Sequence, residues 1–317
     1  MKSNAVWAYG ALDKSYFIAS GPGDSYHRPP ECSSRFIRPE EVPMPAFPPA
    51  VERRLDVLVA FAALAVTPPL TAAGLMVDVV PDFVGLGFGT TTEWMGSADQ
   101  VGGLVPAARV QLEGHRFAEL YGPFGDVNVL DHPNWEFGPM LSFRFGRKDV
   151  EDPVVNSLPP IDGGVEAGVF GGYHYVNTQG VPWRLRVGVS AMTAIGGDAT
   201  GSQVTPYASF WMPLSRTVFV GMGAGFTWSS DSFMRQRFGV SPGAAAVSGL
   251  PVYTAGAGVR QFYAWPAVVV RLSPRWFAGA GAFYQRLTGD AADSPIVTRR
   301  GDPNQWTVGG GIAYTWR

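Results

Sequence analysis

Alternation of side-chain character along segments of about ten residues is the feature that most constrains the fold. From Thr217 to Trp228 the even positions carry Val, Val, Met, Ala, Phe and Trp, and the odd positions are mostly Gly or Thr. The same period of two runs through Trp135–Arg147, Val165–Tyr175 and Trp183–Met192. This period is typical of β-strands. Strands of about ten residues, tilted by about 45°, cross the hydrocarbon of a bilayer.

The second face of these strands favours a membrane barrel over a soluble sandwich. A sandwich would expose Lys, Glu and Thr to water, whereas this face carries mostly Gly and a few charges. An Arg in contact with lipid costs about 2–4 kcal/mol at the bilayer midplane. The charged side chains are therefore expected to point into a polar lumen, where they form either a self-satisfied ionic network or separated charges that select solutes. They are Glu136, Arg144, Glu166, Arg184 and Arg186.

The segment pattern predicts an all-β, transmembrane, antiparallel up-and-down β-barrel of about 12 strands. Single-chain bacterial barrels have an even strand number with both termini in the periplasm. Long links at 148–164, 229–262 and 288–303 are expected outside the cell. Trp183, Trp228, Trp265 and Trp276 are expected in the aromatic girdles of the outer surface. The strands are placed near 82–92, 104–112, two within 115–130, 135–147, 165–175, 183–195, 203–213, 217–228, 263–272, 276–287 and 304–317.

The last predicted strand, from Asn304 to Arg317, also carries a targeting pattern. Gly311, Tyr314 and Trp316 are similar to the C-terminal signal, a glycine followed by alternate aromatic residues, that barrel-insertion machinery reads. That signal usually ends the chain, and here Arg317 follows it. The pattern predicts that the insertion machinery and outer-membrane lipid are partners of this chain.

The first 73 residues differ from the rest. Residues 51–73 combine two arginines, an apolar stretch and a small-residue cleavage site, as in a signal peptide. We expect cleavage after Ala73, which leaves residues 74–317 as the barrel and removes Cys32, the only cysteine. The Pro-rich residues 1–50 are then a wrongly included or disordered leader, with translation starting at Val51. The alternative is a genuine Pro-rich leader followed by a core helix.

Composition and motif spacing argue against several classes of function. The 24 basic and 26 acidic residues give a net charge of −2, and no basic run is longer than two residues, so nucleic-acid binding is not expected. The sequence contains no spacing typical of a metal site. None of the three histidines beyond residue 73 has a nucleophile and an orienting group in positions suitable for catalysis. We expect no enzymatic activity, no catalytic residue, no cofactor and no metal.

Three stretches resemble the MipA/OmpV family of MltA-interacting outer-membrane proteins. They are FGPMLSFRFGR from Phe137, LTGDAADSPIV from Leu287, and the longer external segment Phe233–Arg260. The external segment carries Phe233, Arg237, Phe238, Gly239, Ser248, Gly249 and Tyr253. The resemblance implies an exported barrel in the outer membrane of Gram-negative bacteria.

The resemblance also implies a role as a scaffold that joins a murein transglycosylase to a murein synthase, or as a surface-exposed interaction protein. It assigns no catalytic residues. A small-solute channel remains the alternative, because the lumen of a barrel of about 12 strands is wide enough for water unless side chains or loops fill it.

Overall fold

The computed structural model describes residues 80–316. The predicted leader (1–50) and signal peptide (51–73) lie outside the described residues. Within residues 80–316, no helix has both the length and the apolar character needed to cross a membrane.

Twelve antiparallel strands close into a single barrel, which confirms the predicted fold class and strand number. Each strand pairs with its sequence neighbours, and β1 closes the ring by pairing with β12, from Phe83 opposite Thr315 to Thr90 opposite Val308. The strands are β1 Phe83–Thr92, β2 Gln100–Gln111, β3 Phe117–Tyr121, β4 Phe124–Asn128, β5 Trp135–Arg144, β6 Gly164–Asn177, β7 Trp183–Gly197, β8 Ser202–Pro213, β9 Val218–Ser229, β10 Gly258–Arg271, β11 Trp276–Leu287 and β12 Asn304–Thr315.

The outer surface of the barrel is apolar. Leu86 of β1 and Ile312 of β12 lie opposite each other in the pairing register, and both side chains are about half exposed. Trp306 and Val308 of β12 are exposed in the same way. No second sheet or helix covers this face among the described residues, so it is suited to contact with hydrocarbon.

The two ends of the barrel differ. At one end, called here the turn end, short links join the strands, and Phe83 at the start of β1 lies opposite Thr315 at the end of β12. At the other end, the links are longer and carry five short helices, and these links together are called the cap. The cap consists of residues 93–99, 145–163, 198–201, 230–257 and 288–303, with α1 Pro153–Asn156, α2 Asp231–Phe238, α3 Pro242–Ser248, α4 Gly289–Asp293 and α5 Pro295–Arg300.

The cap contains the main apolar core of the described chain. The side chains of Phe233, Phe238 and Ile296 are almost completely buried there. All 15 buried residues of this cluster except Leu287, the last residue of β11, lie outside the strands. The barrel is therefore closed at the cap end by loops that pack on one another as a small globular core does.

The hairpin β3–β4 is half the length of the other strands. It turns at Gly122-Pro123, where the Gly122 N–H donates to the Pro106 carbonyl at 2.9 Å and the Phe143 N–H donates to the Pro123 carbonyl at 3.0 Å. On the cap side of this turn, residues 100–106 of β2 pair with β1 but not with β3 within the described chain. The strands on this side of the barrel therefore end before they reach the cap. Two cap segments are joined across this gap, because the Glu151 N–H donates to the Glu93 carboxylate at 3.0 Å.

The prediction that Trp265 belongs to an outer girdle is wrong. In the pairing register it lies opposite Gly223, on the face that points into the lumen. A Cβ atom at Gly223 would lie 2.5 Å from the Trp265 ring, so the glycine leaves the space that the ring occupies. Trp228 and Trp276 do lie on the outer surface, where both are exposed.

Candidate functional site

The lumen is crossed by two groups of charged side chains, one near each end of the barrel. The first lies near the turn end. Its centre is Glu136, which accepts from Arg186 at 2.6 Å and contacts His174 Nδ1 at 2.9 Å. A second pair, Arg109 and Glu119, is joined at 2.8 Å. The side chains of Glu136, Arg109 and Glu119 are about nine-tenths buried, so these pairs fill part of the lumen cross-section.

The second charged group lies near the cap end and is continuous from β5 to β10. The carboxylate of Glu166 forms an ion pair with Arg144 and accepts a hydrogen bond from Gln203 Nε2 at 2.9 Å. The same Gln203 accepts from Arg260 Nη2 at 3.1 Å through its Oε1 atom. The Phe233 ring of the cap lies against both guanidinium groups, with its centroid 4.3 Å from Arg144 and 4.6 Å from Arg260.

Aromatic side chains of β8, β10 and β11 lie in the lumen. The rings of Trp211 and Trp265 are 5.9 Å apart, and those of Tyr263 and Phe283 stack at 5.1 Å. Glycines of β9 face these rings, because a Cβ atom at Gly221 or Gly223 would fall within 2.6 Å of a tryptophan ring. Large rings on one strand are therefore accommodated by the missing side chains of the next.

Ion pairs and backbone contacts hold the cap segments together. Arg300 of α5 donates to Asp152 Oδ2 through Nε at 2.9 Å, and Asp152 also accepts from the Val154 and Val155 N–H groups as the N-cap of α1. Burial raises the pKa of the Asp152 carboxyl, but these hydrogen bonds and the Arg300 charge outweigh burial and hold the pKa below its ordinary value.

A family model described as "MltA-interacting protein MipA" matches residues 84–316, almost the whole described barrel. The chain belongs to this family. The match confirms the resemblance inferred from the sequence. No curated protein sequence matches the chain significantly.

Solved outer-membrane structures resemble the chain at low identity. An outer membrane channel from Pseudomonas putida F1 is 11% identical with a TM-score of 0.38, over 75% of this chain and 96% of that one. The outer membrane channel DcaP of Acinetobacter baumannii is 8% identical with a TM-score of 0.35, over 74% and 96%. The CymD monoaromatic hydrocarbon channel is 10% identical with a TM-score of 0.32, over 78% and 93%.

The external segment that resembles the family forms α2, α3 and their connection. Phe233, Arg237 and Phe238 are buried on α2, and Gly239 follows that helix as its C-cap. Gly249 ends α3 in the left-handed region, with φ of 72°. Ser248 donates to the Ala244 carbonyl at 2.7 Å within α3. The Tyr253 hydroxyl ties the segment to α4 by donating to the Asp290 carbonyl at 3.0 Å.

Of the three residues of the expected insertion signal, Gly311 and Tyr314 lie in the last five residues of β12, toward the turn end, and Trp316 directly follows the strand. Tyr314 faces outward and packs edge-on against Trp276, with ring centroids 5.2 Å apart. Trp316 is also exposed. Gly311 lies opposite Gly87 of β1 and Gly279 of β11, where the absence of side chains allows close strand contact. Two aromatic rings are thus displayed on the outer surface at this end.

The five lumen charges expected from the sequence separate into the two groups. Glu136 and Arg186 lie in the group at the turn end, and Arg144 and Glu166 lie in the group at the cap end. Arg184 faces the lumen at the turn end, opposite Trp211 in the register, and has no carboxylate within 4 Å among residues 80–316. Sequence reasoning missed Arg109, Glu119 and Arg260, although each lies at a lumen-facing position of its strand.

The sequence analysis also missed the cap helices, although a local signal for three of them exists. Asp152-Pro153, Ser241-Pro242 and Ser294-Pro295 place a capping side chain before a proline at the first helical position. This combination is typical of helix N-termini. Each side chain accepts a hydrogen bond from a backbone N–H of its helix.

Proposed function

We propose that this protein is a non-enzymatic outer-membrane barrel that acts as a scaffold or interaction protein of the cell envelope, with murein-cleaving and murein-synthesising enzymes as its partners. The closed cap end carries this proposal. The apolar core of the cap covers one end of the barrel, and the Arg144–Glu166 and Glu136–Arg186 ion pairs place charged side chains in the lumen near its two ends. The family name, MltA-interacting protein, supports the choice of partner.

The turn end is the surface that we assign to the murein enzymes. Both termini of bacterial single-chain barrels lie in the periplasm, so in this proposal the turn end faces the murein layer. Leu214 and Leu272 begin two tight turns there and are both more than half exposed. The two turns adjoin, because the Arg271 N–H donates to the Thr217 carbonyl at 2.7 Å. Exposed apolar side chains at one rim are suited to partner contact.

Crosslinking in intact cells, followed by mild solubilisation and purification of the barrel, tests this role. We expect a murein transglycosylase and a murein synthase among the crosslinked proteins. The double change Leu214→Asp and Leu272→Asp should reduce their recovery several-fold, since it places charges in an apolar contact. Val247→Asp in the cap, a change at a similarly exposed side chain, should leave recovery unaltered. Recovery without either enzyme would contradict the proposal.

A small-solute channel is the second candidate, and planar-bilayer recording separates it from the scaffold. The filled cap end predicts that folded, purified protein gives no reproducible conductance steps. Regular open steps that persist after removal of contaminating porins would favour the channel instead. A surface-interaction role on the outside would depend on the cap, so it should disappear when exposed cap residues such as Val247 and Val252 are replaced.

A further inference from the structure

Four buried arginines lie where the cap joins the barrel, around one turn of α2, and the charges of Arg144, Arg147 and Arg260 each interact with that of Arg237. Arg144 and Arg260 come from the ends of β5 and β10 and flank the Phe233 ring at 4.3 and 4.6 Å. Arg147 donates through Nη1 to the Arg237 carbonyl at 3.0 Å. Phe233 and Arg237 are four residues apart on α2 and so share a helix face. All four arginine residues are more than nine-tenths buried. They are called the arginine cluster below.

The arginine cluster carries more positive than negative charge. Glu166 pairs with Arg144, and no other carboxylate of residues 80–316 lies within 4 Å of any of the four guanidinium groups. Three of the four positive charges are therefore without a paired carboxylate in the described chain. A buried charge without a counter-charge is strongly unfavourable.

Several guanidinium nitrogens of the cluster are also buried without a hydrogen-bond acceptor. Arg237 has two, Nε and Nη2, and the Nε atoms of Arg144, Arg147 and Arg260 are in the same state. Buried donors without a partner are rare in native proteins. Burial lowers the pKa of Arg237 to about 10, and burial together with the Arg237 charge lowers that of Arg147 to about 10. Both groups therefore stay charged at neutral pH.

We propose that the arginine cluster is a binding site for a phosphate group. The planar guanidinium presents parallel N–H donors that match phosphate oxygens, and Arg is the preferred residue for such bidentate contacts. A phosphate or phosphomonoester dianion neutralises two of the three unpaired charges, whereas a carboxylate or a phosphodiester would neutralise only one. The phosphate belongs either to a lipid headgroup that carries a phosphomonoester or to a free phosphate ion. This inference is independent of the scaffold role, because no murein enzyme takes part in it.

Binding of inorganic phosphate to protein refolded in lipid-free, non-ionic detergent is the first test. We expect phosphate to raise the thermal unfolding temperature relative to chloride at equal ionic strength, since a ligand of the folded state stabilises it. Arg237→Gln should weaken phosphate binding, measured by calorimetry, by about tenfold or more. In phosphate-free chloride the same variant should unfold at a higher temperature than the unmodified protein, because it removes an unpaired buried cation.

Arg235→Gln is the matched control, because Arg235 lies on the same helix with its side chain about half exposed. This variant should change neither phosphate binding nor the unfolding temperature. A lower unfolding temperature for Arg237→Gln without phosphate would assign the arginines to packing and overturn the proposal.

Protein extracted from outer membranes distinguishes the two sources of phosphate. If the source is a lipid, native mass spectrometry should find a phosphorylated lipid retained by the unmodified protein and by Arg235→Gln, and lost from Arg237→Gln. If the source is a free ion, only the refolded protein with inorganic phosphate should show Arg237-dependent binding. Absence of Arg237-dependent phosphate in both preparations would refute the site.

Discussion

Glu166, which forms an ion pair with Arg144 in the lumen, is a single residue whose charge is expected to affect the free energy of unfolding strongly. Glu166 is almost completely buried and also accepts from Ser142 and Gln203. Loss of its charge would leave Arg144 without its only carboxylate partner among the described residues. Removal of one member of a buried pair typically costs about 3–5 kcal/mol.

Glu166→Gln is therefore expected to lower the free energy of unfolding by about 3–5 kcal/mol, measured by urea unfolding in lipid vesicles with tryptophan fluorescence. Asp162→Asn provides the matched control, because Asp162 pairs with Lys148 at 3.0 Å with both side chains more than half exposed. Such exposed pairs contribute about 0–1 kcal/mol. Equal effects of the two changes would contradict the buried ion pair as the cause.

The Asp152 carboxylate gives the cap a dependence on acid pH. Its pKa in the folded protein lies below its ordinary value, so its stabilising effect is complete above the ordinary pKa and is lost as the pH falls through the lower, folded pKa. Limited pepsin digestion between about pH 2 and 5 should show the cap becoming susceptible toward the acid end. Asp152→Asn should make the cap susceptible across this range and remove the pH step. A pH step that persists in Asp152→Asn would show that another group causes it.

At the scale of single elements, the fit between β9 and β10 depends on glycine. Gly223 lies opposite Trp265, and a Cβ atom there would lie 2.5 Å from the ring. Gly258, at the start of β10, provides a contrast, because a Cβ atom at that position meets nothing within 4 Å. Substitutions at the two positions can therefore be compared, and the comparison separates destabilisation by steric crowding from destabilisation by any replacement of a strand glycine.

Gly223→Val is expected to destabilise the barrel by about 1–3 kcal/mol, the usual cost of overpacking, and Gly258→Val to have a much smaller effect. Trp265→Ala should make Gly223→Val tolerable, because it removes the ring that occupies the space. A double-mutant cycle from urea unfolding measures this coupling. Additive effects of the two changes would argue against a ring packed over Gly223.

At the scale of the whole molecule, exposed apolar side chains face two different media, the hydrocarbon of the membrane and water. Val308 on the outer surface of β12 and Val247 on α3 are both exposed, but only Val308 faces the region assigned to hydrocarbon. Val308→Arg should destabilise the barrel folded in lipid vesicles by about 2–4 kcal/mol, or less if the position lies away from the midplane. Val247→Arg should be tolerated. Refolding yield and urea unfolding measure both, and a tolerated Val308→Arg would contradict the membrane assignment.

Much of this architecture could be predicted from the sequence because its cause is local. The outer surface contacts one medium and the lumen another, so side chains must alternate in every strand. The alternation located Trp276–Leu287 at the predicted bounds and most other strands to within three residues, whereas β2 and β10 begin four and five residues earlier than predicted. It also placed Glu136, Arg144 and Glu166 on the inward face.

Only the tertiary structure decided which side chains meet. Asp152 and Arg300 are joined across 148 positions of sequence, and the arginine cluster combines residues from two strands, a cap link and a helix, so no local pattern specifies either. The cap helices have four to eight residues, too few to form without tertiary packing. The sequence by itself determined the strands and their two faces, because alternation is a property of each strand. Closure of the barrel, the packed cap and the inward position of Trp265 required contacts between distant segments.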